Sequence, residues 1–145
     1  MKRAEFRFEI VEDLASADFI FDAYGRTLED LFKACATACF TAITEIERVE
    51  PSKEYNLMVD GEDQNELLYN YIAELIYLKD TEKSFFSYFE IHIAEDKKSL
   101  TSIVKGEPIS YDKHVIKTDV KAVTHHRLNI TERDGEFVTR MVLDL

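Results

Sequence analysis

Residues 17–46 read Ala17-Asp18-Phe19-Ile20-Phe21-Asp22-Ala23-Tyr24-Gly25, then Arg26-Thr27-Leu28-Glu29-Asp30-Leu31-Phe32-Lys33-Ala34-Cys35-Ala36-Thr37-Ala38-Cys39-Phe40-Thr41-Ala42-Ile43-Thr44-Glu45-Ile46. Two periodicities meet at Gly25. Before it the pattern has period 2: Ala17, Phe19, Phe21 and Ala23 share one face and Asp18, Ile20, Asp22 and Tyr24 the other, which predicts a strand over 17–24 closed by the glycine. After it the period becomes helical. Leu28, Leu31, Phe32, Cys35, Ala38, Cys39, Ala42, Ile43 and Ile46 form one wide apolar stripe. Thr27 is the candidate N-cap, with Asp30 three residues on, a capping-box variant carrying Asp in place of Glu. Glu29 and Asp30 in the first turn complement the helix dipole. The pattern fades before Pro51.

The rest of the chain extends this strand–helix unit. Arg3 to Val11 alternates, with Phe6, Phe8 and Ile10 opposite Glu5, Arg7 and Glu9, and predicts a half-buried strand. Tyr55 to Asp60 reads as a strand closed by Asp60-Gly61. Asp63, with Glu66 three later, caps a second helix whose stripe is Leu68, Tyr71, Ile72, Leu75 and Leu78. Lys79 to Lys83 reads as a polar loop. Phe85 to Ala94 is a long aromatic strand, turned by Asp96-Lys97-Lys98 into a strand from Leu100 to Val104, which Gly106-Glu107-Pro108 breaks. Two further strands are expected, over about Val115–Ile130 and Glu136–Leu143, joined by a turn at Asp134-Gly135. The order implies an α+β fold, two main helices packed on a mostly antiparallel sheet. The 145 residues suit one domain, 1–145, without a linker.

Composition narrows the function. Lys and Arg number 18 against 29 Asp and Glu, a net charge of −11. Such a chain has no broad electrostatic reason to hold a phosphate backbone, so direct nucleic-acid binding is not expected; cations and basic protein surfaces are the favoured partners. The N-terminus carries charges every second or third position and no apolar run, which argues against a secretory signal. No window approaches the ~18 apolar residues of a spanning helix, so no membrane role is expected and a cytoplasmic location is the default. Cys35 and Cys39, four apart on one helix face, have no further cysteine with which to complete a zinc site and read as buried small hydrophobes.

P-loop, dinucleotide and G-x-S-x-G motifs are missing from the sequence. In an extended 115–130 strand, Val120, Ala122, Thr124, His126, Leu128 and Ile130 would share the apolar face, making His126 a core histidine. Lys121, His125 and Arg127 would form a solvated face or a small basic patch. Asp18 stands inside a strand pattern, where Asp is disfavoured. Asp144 ends the last strand. With the terminal carboxylate of Leu145 they could supply several hard oxygen ligands, a set suited to Ca²⁺, Mg²⁺ or Mn²⁺ rather than zinc.

These residues resemble the archease family. Ala15-Ser16-Ala17-Asp18-Phe19-Ile20, ending in Ala23-Tyr24-Gly25, is similar to the family's H-T-A-D-I-G motif and its A-Y-G-like end. Thr27 to Phe32 is similar to T-L-E-E-L-F, and Glu66 to Leu78 to the E-x-L-L helix. Gly106-Glu107, His114 and Val120-Lys121-Ala122-Val123-Thr124 resemble the G-E…H…V-K-A-V-T block, with His126 at a family histidine position, and Val142-Leu143-Asp144-Leu145 resembles V-L-D-I. The resemblance covers nearly the whole chain. It implies a protein that acts with an RtcB-type RNA ligase in tRNA splicing, promoting guanylylation and turnover of the ligase without being a catalyst itself. It also implies a divalent metal, Ca²⁺ first, held by Asp18, Asp144 and a main-chain oxygen of Leu145, with Lys121, Thr124, His114 and His126 near the site or facing the partner. Ala15 departs from the family's His and Ile20 from its Gly. Two other readings stand beside this one. The first is a metal-dependent hydrolase or phosphotransferase using the same carboxylates with His114 or His126 as base. The second is a chaperone-like interaction module without a metal.

Overall fold

The computed structural model describes residues 5–11 and 18–145. The two-period stretch forms as expected. Strand β2 spans Asp18–Gly25 and helix α1 spans Leu28–Ile43, with the Thr27 side chain accepting from the Asp30 backbone N–H. Such a cap contributes about 1 kcal/mol. Asp63 repeats the device for helix α2, Gln64–Glu82, accepting from the Glu66 N–H at 2.9 Å. The other strands are β1 (Phe6–Val11), β3 (Lys53–Asp60), β4 (Ser84–Ile93), β5 (Ser99–Pro108), β6 (Ala122–Val123), β7 (Thr131–Arg133) and β8 (Glu136–Asp144). Arg3 and Ala17, included in the expected strands, lie outside the described residues.

The strands form two antiparallel sheets. One runs β1-β2-β8-β6, with β7 also paired to β8; the other runs β3-β5-β4. Helix α1 packs on β1, β2 and β8 of the first sheet and on β4 of the second. That position explains why its burial exceeds one stripe: Ala34, Ala36 and Phe40 are as buried as Leu31, Phe32 and Cys35. Phe40 meets Phe86 and Phe89 of β4, with ring centroids 5.4 and 5.7 Å apart, while Phe21, Ala23, Met141 and Leu143 close the first-sheet side.

Four expectations are corrected. The segment Lys79 to Glu82 is the last turn of α2 rather than a loop, because Lys79 is 5% exposed and its ammonium pairs with Asp80. Strand β5 passes through Gly106 to Pro108 rather than breaking, because Gly106 sits beside a bulge in β4 between Phe86 and Tyr88, where a Cβ would collide with the Phe85 carbonyl. α1 stops at Ile43, and a 3₁₀ turn over Ile46–Arg48 takes up the rest of its stripe. The expected strand over 115–130 is largely irregular. Only Ala122–Val123 joins the ladder, and the flanking loop is held by separate backbone bonds such as Lys117 N–H to Ile43 O and Leu128 N–H to His125 O.

Candidate functional site

Strands β2 and β8 are neighbours in the first sheet, and their antiparallel register sets Asp18 opposite Asp144, Ile20 opposite Val142 and Asp22 opposite Arg140. Directly opposed residues project from the same face. That face is turned away from the core: the alternate set, Phe19, Phe21, Ala23 with Leu143 and Met141, packs inward. Both carboxylates are exposed and Leu145 is half-buried. On the other flank of β8, Ala122 pairs with Asp144, and the Lys121 N–H donates to the Asp144 carbonyl at 2.8 Å. Three segments far apart in the chain therefore converge on one sheet end.

The donor set there is oxygen only, which fits a hard divalent cation. Among the described residues no group of three or more His, Cys, Asp or Glu side chains is placed to hold a metal. The Leu145 carbonyl, next in the chain to Asp144, is a further candidate oxygen donor. Cys35 and Cys39 are no alternative: both are buried, and burial pushes both thiols up, Cys39 to about 12. Ala15 lies outside the described residues. Ile20 follows Asp18 on the same face and packs beside Val142.

The other candidates distribute unevenly. Lys121 is exposed; Thr124 is half-buried, its N–H bonded to the Val142 carbonyl at 3.0 Å and its hydroxyl accepting from the His126 N–H at 3.3 Å. His126 is exposed and not a core residue, because the segment leaves the ladder after Val123 and alternation stops governing which side chains face inward. His125 stacks on Tyr69 of α2, ring centroids 3.6 Å apart. His114 is buried; its Nδ1 accepts from the Ser110 N–H at 2.9 Å, and its Nε2 lies 2.9 Å from Glu107. Burial pushes the Glu107 carboxyl up. Hydrogen bonds from Lys113, the Glu50 N–H and His114 outweigh it and hold the pKa down at about 2. This cluster ties the β5 end to the following loop.

Sequence reading missed the Asp22–Arg140 pair, a two-pronged bond of 2.8 and 3.0 Å across the β2–β8 ladder. Its only sequence signal is the position of Asp22 on the polar face of β2.

No helix among the described residues is long and apolar enough to cross a membrane. Comparison with known proteins matches residues 8–145 to the model of the archease protein family. Protein archease of Methanothermobacter thermautotrophicus is 39% identical over 132 residues, 90% of this chain and 94% of that one. The solution structure of protein 1598 from Methanobacterium thermoautotrophicum superposes with a TM-score of 0.77 at 36% identity, covering 97% of this chain and 99% of the other. The crystal structure of an archease from Thermotoga maritima, named there a possible chaperone, has a TM-score of 0.62 at 15% identity over 100% and 98% of the two chains, a likeness of fold alone. With the family model spanning nearly its whole length and a relative well above 30% identity, this chain belongs to the archease protein family.

Proposed function

We propose that this chain is an accessory activator of an RtcB-type RNA ligase in tRNA splicing, that it promotes guanylylation and turnover of the ligase, and that it docks through the sheet end bearing Asp18, Asp144 and Leu145. The observation that carries the reading is the β2–β8 register, which sets two carboxylates side by side on an outward face next to the Leu145 end of β8. Asp18 and Asp144 bind the cation, Ca²⁺ in the first instance and Mg²⁺ or Mn²⁺ as alternatives, and the Leu145 carbonyl completes the protein's share. When bound, the cation supplies a positive centre that offsets the paired carboxylates and attracts phosphate-bearing groups at the docking face. Lys121 steadies the site from the side through its N–H on the Asp144 carbonyl. The net charge of −11 favours docking on a ligase surface made basic for RNA. Membership of the archease family supports the partner assignment.

The test is a multiple-turnover ligation assay with purified RtcB-type ligase, with and without this protein. The expected result is faster guanylylation and sustained turnover, lost with Asp18→Ala. Unchanged guanylylation and turnover would remove the activator reading. Equal divalent-ion binding by wild type and Asp18→Ala in calorimetry would move the cation elsewhere.

A further inference from the structure

The outward face of the first sheet carries a second feature about four residues along β2 from Asp18, roughly 13 Å at strand rise. It is an open cleft of about 410 Å³ lined by Asp22, Arg127, Asn129, Thr131, Arg133 and Arg140, among others. In a chain where acidic residues outnumber basic ones 29 to 18, three arginines and a single carboxylate converge here. Asp22 is already answered by the Arg140 fork. Arg7, across the ladder from Tyr24, lies over the Tyr24 ring at 3.8 Å and is paired with Glu136 at 2.8 Å. Among the described residues the guanidinium groups of Arg127 and Arg133 have no acceptor.

Arg127 is held there against its backbone preference. The Leu128 N–H closes a four-residue turn on the His125 carbonyl at 3.2 Å, and Arg127, in the third position, has φ of +64°. That is a position turns of this kind give to glycine or asparagine. A long β-carbon-bearing side chain in left-handed backbone has no local reason to be there, and a non-glycine outlier lining a cleft points to use of the side chain.

We propose that this cleft is a binding site for a phosphate monoester, taken by the free guanidinium forks of Arg127 and Arg133. Each fork matches two phosphate oxygens. Their two positive charges match the charge of about −1.5 to −2 that a monoester carries at neutral pH. The Thr131 hydroxyl and the Asn129 amide line the same wall and supply further donors. Arg140 neutralises Asp22, so the one carboxylate lining the cleft does not repel the ligand. The site is local, so it coexists with a net charge that repels an extended phosphate backbone. It stands apart from the ligase reading: the isolated protein is the test object, and the carboxylate end takes no part.

The experiment titrates the full-length protein with inorganic phosphate, AMP and adenosine in 0.15 M NaCl, followed by arginine side-chain and backbone NMR shifts. Phosphate and AMP are expected to shift Arg127 and Arg133 signals saturably in the millimolar range or below, and adenosine is not. AMP binding tighter than phosphate identifies a nucleotide-type ligand, and equal binding identifies the free anion; either supports the site. Arg127→Gly is expected to leave thermal stability unchanged or raised, because it relieves the left-handed residue, and to weaken binding at least tenfold. Arg133→Lys, which keeps charge but loses the fork, should weaken it severalfold. Arg48→Ala, removing an arginine of the distant 3₁₀ turn, should change nothing. Absence of phosphate-dependent shifts, wild-type affinity in Arg127→Gly, or equal weakening by Arg48→Ala would overturn the proposal. So would tighter binding of an RNA lacking terminal phosphates than of AMP.

Discussion

The effect of Asp18→Asn is expected to depend on calcium. Asp18 and Asp144 are directly opposed across the β2–β8 ladder and both are exposed. Opposed side chains have Cβ atoms ~5 Å apart, and like charges in that arrangement destabilise a sheet. At a charge separation of ~5.5 Å in water the repulsion is about 0.75 kcal/mol, and screening over a Debye length of ~8 Å halves it to about 0.4 kcal/mol. In EGTA, therefore, relief of this repulsion alone contributes about 0.4 kcal/mol in favour of Asp18→Asn, ~1–2 °C in Tm for a chain of this length, against the interaction that Asp18 also makes. Calcium favours wild type. A site with a dissociation constant near 10 µM, given ~1 mM Ca²⁺, gains about 2.7 kcal/mol, or ~8–10 °C. The asparagine variant loses one of two charged donors and most of that gain. Differential scanning calorimetry at pH 7 in EGTA and in CaCl₂, on wild type, Asp18→Asn and Asp144→Asn, reads both effects. Equal calcium-dependent stabilisation of all three proteins, or loss of more than ~1 kcal/mol by Asp18→Asn in EGTA, would refute the reasoning. The first result would detach the cation from the pair, and the second would mean that Asp18 serves mainly to hold the fold.

Three other perturbations follow from the packing. Gly106→Ala drives a Cβ into the Phe85 carbonyl oxygen; backbone cannot yield as a side chain does, so urea unfolding should show a loss of about 3 kcal/mol or more, and a loss under ~1 kcal/mol would show that the β4 bulge can move. Tyr71→Phe removes the buried bond of 2.8 Å to the Ser102 hydroxyl, which keeps its donation to the Glu90 carbonyl, so the cost should be about 1 kcal/mol in the same assay. The carboxyl of Glu107 is held down from 4.5 to about 2, so the stability it adds is fully present above pH ~4.5 and is lost as pH falls toward 2; Glu107→Gln should flatten that part of the acid limb in pH-dependent Tm measurements while lowering stability at pH 7.

Local patterns were legible in the chain alone. Thr27 and Asp63 announced both helix starts because a cap is a contact three residues long, and the alternation from Asp18 to Gly25 exposed its core face because side-chain direction along one strand follows from the pleat. The family likeness also lay in the order of the motifs. What alternation could not say was where a strand ceases to pair. Past Val123 the backbone leaves the ladder, so His126 turned out exposed although its position in the pattern made it a core residue. His114 was withdrawn from the surface by Glu107 and the Ser110 N–H, partners set by a loop no periodicity describes. The tertiary structure alone decided that Asp18 meets Asp144 and that Arg127, Arg133 and Arg140 share one cleft with Asp22. Cross-strand register joins residues more than a hundred positions apart, and it is selected by burial of the opposite face, Phe21 and Ala23 against Met141 and α1, rather than by the polar residues that it brings together.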